Sequence, residues 1–260
     1  MSDFNKNDCP YLEKKCEDIK CPCPKFFAYR DANDQRKVAE ILTSNHFDTT
    51  LPAWELIFSM QQKFESRFHD INNISKEEMD HWIDRYLVCI EDEIREIREY
   101  LNIYAEPKVT NKEELKKEVI DILHFVMDTF ICGNASAKEI EKAYRKRFEI
   151  DDKGDLLEVA YEFQHYGIKH FLKLDDNFDL SILKAVCSLS DMCALVRQQI
   201  SWKHWKKPNE KIDMEKLYHA FAGVFFAFMN LCILTMDKNE IKDIYVKKNV
   251  ENIQRQFYGY

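Results

Sequence analysis

The stretch Cys89-Ile-Glu-Asp-Glu-Ile-Arg-Glu-Ile97 is the most informative part of the sequence for the fold, because it combines an apolar stripe with a pair of acids. Isoleucines at positions 90, 94 and 97 recur with the 3.6-residue period of an α-helix. Glu93 and Glu96 lie three residues apart, so a helix would point both carboxylates in the same direction, one turn apart. The stretch therefore predicts a helix that packs on one side and presents two acids together.

A second acid pair, Glu118-Val-Ile-Asp121, follows 21 residues later. Asp121 lies among apolar neighbours, where an unpaired carboxylate is costly to bury. Two antiparallel helices would bring the four carboxylates together, and these would repel one another without a cation. Mg²⁺ prefers oxygen ligands and often binds polyphosphates. The pairs therefore predict a magnesium site and hydrolysis of a nucleoside triphosphate; the alternative is a structural acid neutralised by a nearby Arg or Lys.

The composition indicates an all-α protein. Only five glycines and six prolines occur in 260 residues, which argues against a turn-rich β fold. Ser75-Lys-Glu-Glu78 is a capping box that should open the helix carrying Glu93. We expect three segments: a polar extension over residues 1–33 with four cysteines of non-zinc spacing, a first helical half over 34–150 and a second over 151–260.

The second half resembles a degenerate copy of the first. Asp121-Ile-Leu-His-Phe-Val-Met-Asp128 aligns with Gly223-Val-Phe-Phe-Ala-Phe-Met-Asn230, and Glu139–Tyr144 aligns with Glu240–Tyr245. The second copy lacks the acids, since the four positions hold Ala220, Gly223, Met192 and Leu195. The alignment predicts a pseudo-dimer with one metal site; the alternative is chance similarity between amphipathic helices.

The net charge and the hydropathy of the chain indicate which kinds of binding partner to expect. A net charge of -8 disfavours binding to a nucleic acid duplex, although local lysines can still bind a mononucleotide. We find no apolar stretch of 18 residues and no signal peptide at Met1-Ser2-Asp3, so we expect no membrane contact and a cytoplasmic location.

Three further features suit a nucleotide. The segment Trp202-Lys-His-Trp-Lys-Lys207 offers indole rings to a base and ammonium groups to phosphates, although the tryptophans could equally form an interface. His124 follows Asp121 by one helical turn and could be a core residue or a substrate contact. Near the end of the chain, Lys248, Asn252 and Arg255 share one helical face that suits phosphates and a sugar hydroxyl.

Together these segments resemble the dimeric all-α dUTPases and the phage-type dCTPase-dUTPases of the MazG-like pyrophosphohydrolase superfamily. The resemblance covers most of residues 54–260. It is carried by Met60-Gln61-Gln62-Lys63-Phe64, Cys89–Ile97, Glu118-Val-Ile-Asp-Ile-Leu-His-Phe125, Trp202-Lys-His-Trp-Lys206 and the ending Tyr245–Tyr260.

The resemblance implies cleavage of a deoxynucleoside triphosphate to the monophosphate and pyrophosphate. Glu93, Glu96, Glu118 and Asp121 would bind Mg²⁺, and one of them would help to deprotonate water. The substrate contacts that it implies are Gln62, Glu65 and His124 near the base, Trp202, Lys203, Trp205 and Lys206 in the tryptophan segment, and Lys248, Asn249, Asn252 and Arg255 near the C-terminus.

Two departures from the family pattern bear on mechanism. The tryptophan segment normally lies between the two acid motifs, whereas here it lies in the second half, which suggests a pseudo-dimeric monomer or a homodimer. Glu65 occupies the place of a base-reading asparagine, and an ionised Glu, which only accepts hydrogen bonds, could favour cytosine. We expect a pyrimidine deoxynucleoside triphosphatase with dUTP favoured over dCTP; the alternatives are a non-catalytic nucleotide-binding module and a helical scaffold.

Overall fold

The protein is described by a computed structural model that covers residues 47–68, 70–101, 112–171, 178–201 and 211–258. Within these ranges the chain forms eight α-helices and no β-strand, which confirms the all-α prediction. The helices are α1 (Ala53–Glu65), α2 (Lys76–Glu99), α3 (Lys112–Cys132), α4 (Ala137–Phe148), α5 (Leu156–Phe171), α6 (Phe178–Arg197), α7 (Met214–Thr235) and α8 (Lys238–Tyr258).

Helices α3 and α7 form the centre of the bundle. Helix α2 packs along α3, and α6 packs along α7. The last helix of each half packs on the central helix of the other half, so α8 lies on α3 and α4 lies on α7. This exchange places residues from the C-terminal helix beside the acids of α2 and α3. The pseudo-dimer itself stays a prediction, as do the boundaries of the two halves.

Local sequence explains where the helices begin. The hydroxyl of Ser75 accepts from the backbone N–H of Glu78 at 3.2 Å, and the Glu78 carboxylate accepts from the Ser75 N–H at 2.9 Å. The same two bonds join Ser136 and Glu139 at the start of α4. Each box satisfies backbone donors that a helix start leaves unpaired, so the predicted start of α2 is confirmed.

Helix α6 is held against α2 by one arginine. Arg197 Nε donates to Asp84 Oδ1 at 2.9 Å, and the same guanidinium also donates to Glu91. Both acids lie on α2, on the N-terminal side of Glu93. The bridge therefore ties the helix that carries the first acid pair to the second half of the chain.

Helix α7 corrects the expectation that no long apolar stretch exists. Met214–Thr235 is long and apolar enough to cross a membrane. However, 67% of its most apolar 18-residue window is buried inside the molecule, as in the core helix of a globular protein. Its hydropathy is therefore explained by its central position between α3, α4 and α6, and one such helix is weak evidence for a membrane span.

Candidate active site

Three carboxylates from two helices meet at one point. Glu93 extends from α2, and Glu118 and Asp121 extend from α3. One oxygen atom of each lies within 4.8 Å of the others, and all three side chains are partly buried. The two helices bring them together because buried neighbours such as Ile90 and Val119 pack on either side of the contact. The sequence predicted this convergence.

The electrostatics of the cluster favour a cation. Burial raises the pKa of Glu93 to about 8, helped by the negative charges of Asp121, Glu96 and Glu118. The pKa of Glu118 is also raised, by burial and then by the charges of Asp121 and Glu96. Three carboxylates at this spacing match the oxygen ligands that a hard divalent cation prefers. The donor set therefore fits a divalent metal ion.

Lys248 from α8 supplies the nearest positive charge. Its Nζ lies 2.8 Å from Asp121 Oδ2. The pKa of Asp121 is raised because burial outweighs this hydrogen bond, whereas the pKa of Lys248 is raised because the bond and charge of Asp121 outweigh burial. The alternative of a neutralising lysine is thus realised for Asp121. One ammonium beside three carboxylates still leaves a negative excess.

Glu96 lies at the rim of the cluster. Its side chain is 46% exposed, and its Oε1 lies 3.7 Å from Arg95 Nη2. It does not belong to the group of oxygens within 4.8 Å of one another, although its charge still raises the pKa of Glu93 and Glu118. In this arrangement the protein brings three of the four predicted acids together, with the fourth close enough to act on them electrostatically.

Tyr100 is a neighbour of the site that sequence reasoning missed. Its hydroxyl donates to Glu118 Oε1 at 3.3 Å. Tyr100 follows Glu93 and Glu96 at helical spacing, and that position is the signal that could have identified it. A bond to one carboxylate oxygen leaves the other free, so Tyr100 can orient Glu118 without occupying both of its ligand atoms.

A buried glutamine next to the acids organises a second polar group. Gln61 Oε1 accepts from the Tyr245 hydroxyl at 2.6 Å and from Asn249 Nδ2 at 3.3 Å, and it lies 2.9 Å from His124 Nδ1. Because the amide oxygen carries no proton, His124 Nδ1 must donate, and Nε2 is then an acceptor. Burial lowers the pKa of His124 to about 3, so the ring is neutral.

Two acceptor atoms in this group have no partner among the described residues. They are His124 Nε2 and Asn249 Oδ1, both fully buried. A buried polar atom without a hydrogen bond is costly, so such atoms often mark the place of a ligand or water. Both atoms accept hydrogen bonds, which means that the missing partner must donate.

Glu65 and Asp128 form a buried carboxyl pair beside Gln61. Gln61 Nε2 donates to Asp128 Oδ1 at 2.5 Å, and the Tyr86 hydroxyl donates to Glu65 Oε2 at 2.9 Å. Burial raises the pKa of Asp128 well above its usual value, and the charge of Glu65 and a hydrogen bond with it raise it further. The neutral form of Asp128 is therefore favoured, and its carboxyl group can donate a hydrogen bond.

The remaining predicted substrate residues differ in position. Gln62 is exposed, and its neighbour Gln61 is the buried residue, since one step along a helix turns the side chain by about 100°. Asn252 is half-buried, and exposed Arg255 is bonded to Glu251 at 2.5 Å. Trp202, Lys203, Trp205 and Lys206 fall in 202–210, outside the described ranges.

A family model described as dUTPase matches residues 53–260, a span that contains all eight described helices and both acid pairs. No curated protein and no solved structure matches the chain.

Proposed function

The chain belongs to the dUTPase family, and from this premise we propose that it uses Mg²⁺ to hydrolyse dUTP to dUMP and pyrophosphate at the acid cluster of α2 and α3. Family membership makes it a hydrolase of the dUTP diphosphatase type. The finer assignment rests on one observation: Glu93, Glu118 and Asp121 offer three carboxylate oxygens within 4.8 Å of one another. A helical scaffold would leave such a costly arrangement without a purpose, whereas a non-catalytic module whose acids bind metal without turnover is distinguished from an enzyme by the release of pyrophosphate.

The proposed roles of the site residues follow from their charges. Bound Mg²⁺ would neutralise phosphate charge and lower the pKa of the attacking water. Glu93, Glu118 and Asp121 would hold the ion, with Glu96 at the rim, and one of these carboxylates would accept the proton of the water. The water oxygen bonds to the α-phosphorus as the bond to the bridging oxygen breaks, and pyrophosphate leaves.

Helix α8 would supply the phosphate contacts. Lys248 already lies beside Asp121, so its ammonium group is close to where a metal-bound triphosphate would approach. Arg255 lies two turns further along α8 and is exposed. Its positive charge acts on Asp121 and partly offsets the rise that burial causes in the pKa of that carboxyl. Asn252 lies between them on the same helix, in place for a phosphate or sugar oxygen.

The buried polar group favours uracil over cytosine. Uracil N3 carries a proton, which an acceptor such as His124 Nε2 can bind, whereas cytosine N3 is itself an acceptor. Because the neutral form of Asp128 is favoured, the pair of Glu65 and Asp128 can both donate and accept, as the asparagine that the family pattern has at position 65 would. The geometry thus supports dUTP as substrate despite the Glu at position 65; dCTP is the alternative.

The direct test is a substrate panel. Purified protein with Mg²⁺ is mixed in turn with dUTP, dCTP, dTTP, dATP and UTP, and pyrophosphate release is followed. We expect dUTP to be hydrolysed fastest and Glu118→Gln to be inactive on every substrate. Absence of pyrophosphate from dUTP would rule out the proposed activity, and faster release from dCTP would reverse the base assignment.

Two variants test the base assignment separately. Glu65→Asn keeps a group that donates and accepts, so the ratio of kcat/KM for dUTP to that for dCTP should stay within a few-fold. Asp128→Ala removes the carboxyl group that can donate in this pair, so this ratio should fall by about tenfold, the size expected for one lost hydrogen bond. A Glu65→Asn variant that strongly gains dUTP preference would instead show that ionised Glu65 selects cytosine.

A further inference from the structure

A cation occupies the second half at the place that corresponds to Lys248. The alignment of Glu139–Tyr144 with Glu240–Tyr245, continued along both helices, pairs Arg147 with Lys248. Lys248 reaches from α8 to Asp121 on α3. Arg147 reaches from α4 to α7, where its Nη1 donates to the carbonyl oxygen of His219 at 2.5 Å.

The guanidinium of Arg147 lies among the counterparts of the acids. A Cβ atom built on Gly223, the counterpart of Asp121, would lie 2.7 Å from Arg147 Nη1. Nη2 lies 4.0 Å from the sulfur of Met192, the counterpart of Glu93. Burial lowers the pKa of Arg147, and among the described residues it forms no ion pair. The place where the first half gathers three acids thus holds a positive charge in the second.

Aromatic rings replace the polar group that lies beside the acids. The same alignments pair His124 with Phe226 and Asn249 with Phe148. The rings of Phe148 and Phe226 stack with centroids 4.4 Å apart, and the guanidinium of Arg147 lies 5.6 Å from the Phe148 centroid. Such a ring face attracts a cation.

One hydrogen bond of the first half has a close equivalent in the second. Gln164 Nε2 donates to the Tyr144 hydroxyl at 3.2 Å, whereas in the corresponding pair the direction is reversed and the Tyr245 hydroxyl donates to Gln61 Oε1 at 2.6 Å. The scaffold around both places is therefore alike, while the groups that would contact metal and base differ.

We infer that Arg147, whose guanidinium lies over the ring of Phe148, is a built-in cation that fills the counterpart of the active site in the second half. The protein's own side chains take the volume that metal and nucleotide take in the first half. The second half consequently keeps its packing without a metal ion, and a side chain at position 223 would require the guanidinium of Arg147 to shift. The inference rests on the proposed metal role of Glu93, Glu118 and Asp121.

The test is a double-mutant cycle in thermal unfolding, with EDTA present throughout. Gly223→Asp places a carboxylate beside Arg147, as Asp121 lies beside Lys248, and Gly223→Ala is the matched control for the steric cost of a side chain. Each is made with Arg147 intact and with Arg147→Met. We expect the aspartate variant to have the higher Tm of the two when Arg147 is present, and the lower Tm when position 147 is Met.

An equal difference between aspartate and alanine in both backgrounds would overturn the inference, because Arg147 would then not occupy the position. Arg147→Met alone should lower Tm while kcat/KM for dUTP stays within about twofold. The aligned variant Lys248→Met should instead lower kcat/KM. Because the cycle is measured without metal, its result does not depend on whether the acid cluster binds Mg²⁺ or hydrolyses dUTP, so failure of either proposal can be recognised on its own.

Discussion

At the scale of single residues, Glu118 has the clearest consequence for the metal site. The hydroxyl of Tyr100 donates to its Oε1, and one of its carboxylate oxygens lies within 4.8 Å of those of Glu93 and Asp121. Glu118→Gln keeps the shape and the bond to Tyr100 but removes one charge from the ligand set. We expect kcat/KM for dUTP to fall by at least about 100-fold, as when other groups that stabilise transition-state charge are lost. A circular dichroism spectrum should remain that of the wild type.

Tyr100→Phe is the matched control for that variant. It removes the hydroxyl that orients Glu118 and leaves all four acids in place, so the loss of activity should be smaller, about tenfold or less for one hydrogen bond. Equal losses for Tyr100→Phe and Glu118→Gln would contradict a ligand role for Glu118 and favour a role in orientation only.

Asp128 predicts a pH dependence of stability. Its pKa is higher in the folded protein than in the unfolded chain, so the native state binds the proton more tightly. The resulting stabilisation is present at low pH and is lost as pH rises above the unfolded value of about 3.9 toward the folded value. Asp128→Asn carries no titrating proton, so its Tm relative to wild type should increase from pH 5 to pH 8. A constant difference across that range would show that Asp128 is ionised in the native protein.

At the scale of the element, the start of α2 fixes the helix that presents Glu93. Ser75 and Glu78 form two reciprocal bonds there. Ser75→Ala should cost about 1 kcal/mol of unfolding free energy, which corresponds to a Tm lower by about 2–4 °C for a chain of this size. Activity at 25 °C should be unchanged, because Glu93 lies near the other end of the helix. Ser136→Ala, in the equivalent box of α4, is the matched control and should cost the same.

Helix α8 shows how an element can serve a site far from it in sequence. Its Tyr245 and Asn249 bond to Gln61 of α1, and its Lys248 bonds to Asp121 of α3. Helix α4 packs on α7, where Arg147 donates to the carbonyl oxygen of His219. Helices α4 and α8 thus each pack on a central helix from a distant part of the chain, and α8 brings Lys248 to the acid cluster.

At the scale of the whole molecule, the metal should couple to folding. Without metal, the pKa of Glu93 is raised to about 8 from 4.5, so stability falls as pH rises from 4.5 toward 8. At pH 9 in EDTA, Glu93→Gln should therefore have a higher Tm than wild type, because one repelling charge is gone. Mg²⁺ should raise the Tm of wild type in proportion to the logarithm of its concentration.

The same variant carries its own control. Glu93→Gln should lose the Mg²⁺ response and the hydrolysis of dUTP together, since both require the third carboxylate. A Tm that rises equally with Mg²⁺ in both proteins would indicate that the ion binds elsewhere. Asp84, an acid on the same helix that pairs with Arg197, gives the comparison: Asp84→Asn should keep the Mg²⁺ response.

Local features could be predicted from the sequence alone. The isoleucines at positions 90, 94 and 97, the capping box at Ser75 and the i, i+3 acid pairs predicted helix α2 and a convergence of four acids, of which Glu93, Glu118 and Asp121 meet. These predictions succeed because helix hydrogen bonds join residues four apart, and side-chain direction follows from that spacing. The nucleotide-binding role of the tryptophan segment was predicted from its indole rings and lysines. It stays a prediction, because residues 202–210 lie outside the described part of the chain.

The contacts between residues across the bundle could not be predicted from the sequence and are known from the tertiary structure. Gln61 rather than Gln62 is buried, Glu65 lies beside Asp128, and Arg147 of α4 bonds to the backbone of α7. These contacts join residues from 63 to 188 positions apart. They depend on which helices pack together and at what rotation, and that outcome is set by the combined burial of apolar surface over the whole core rather than by any one segment.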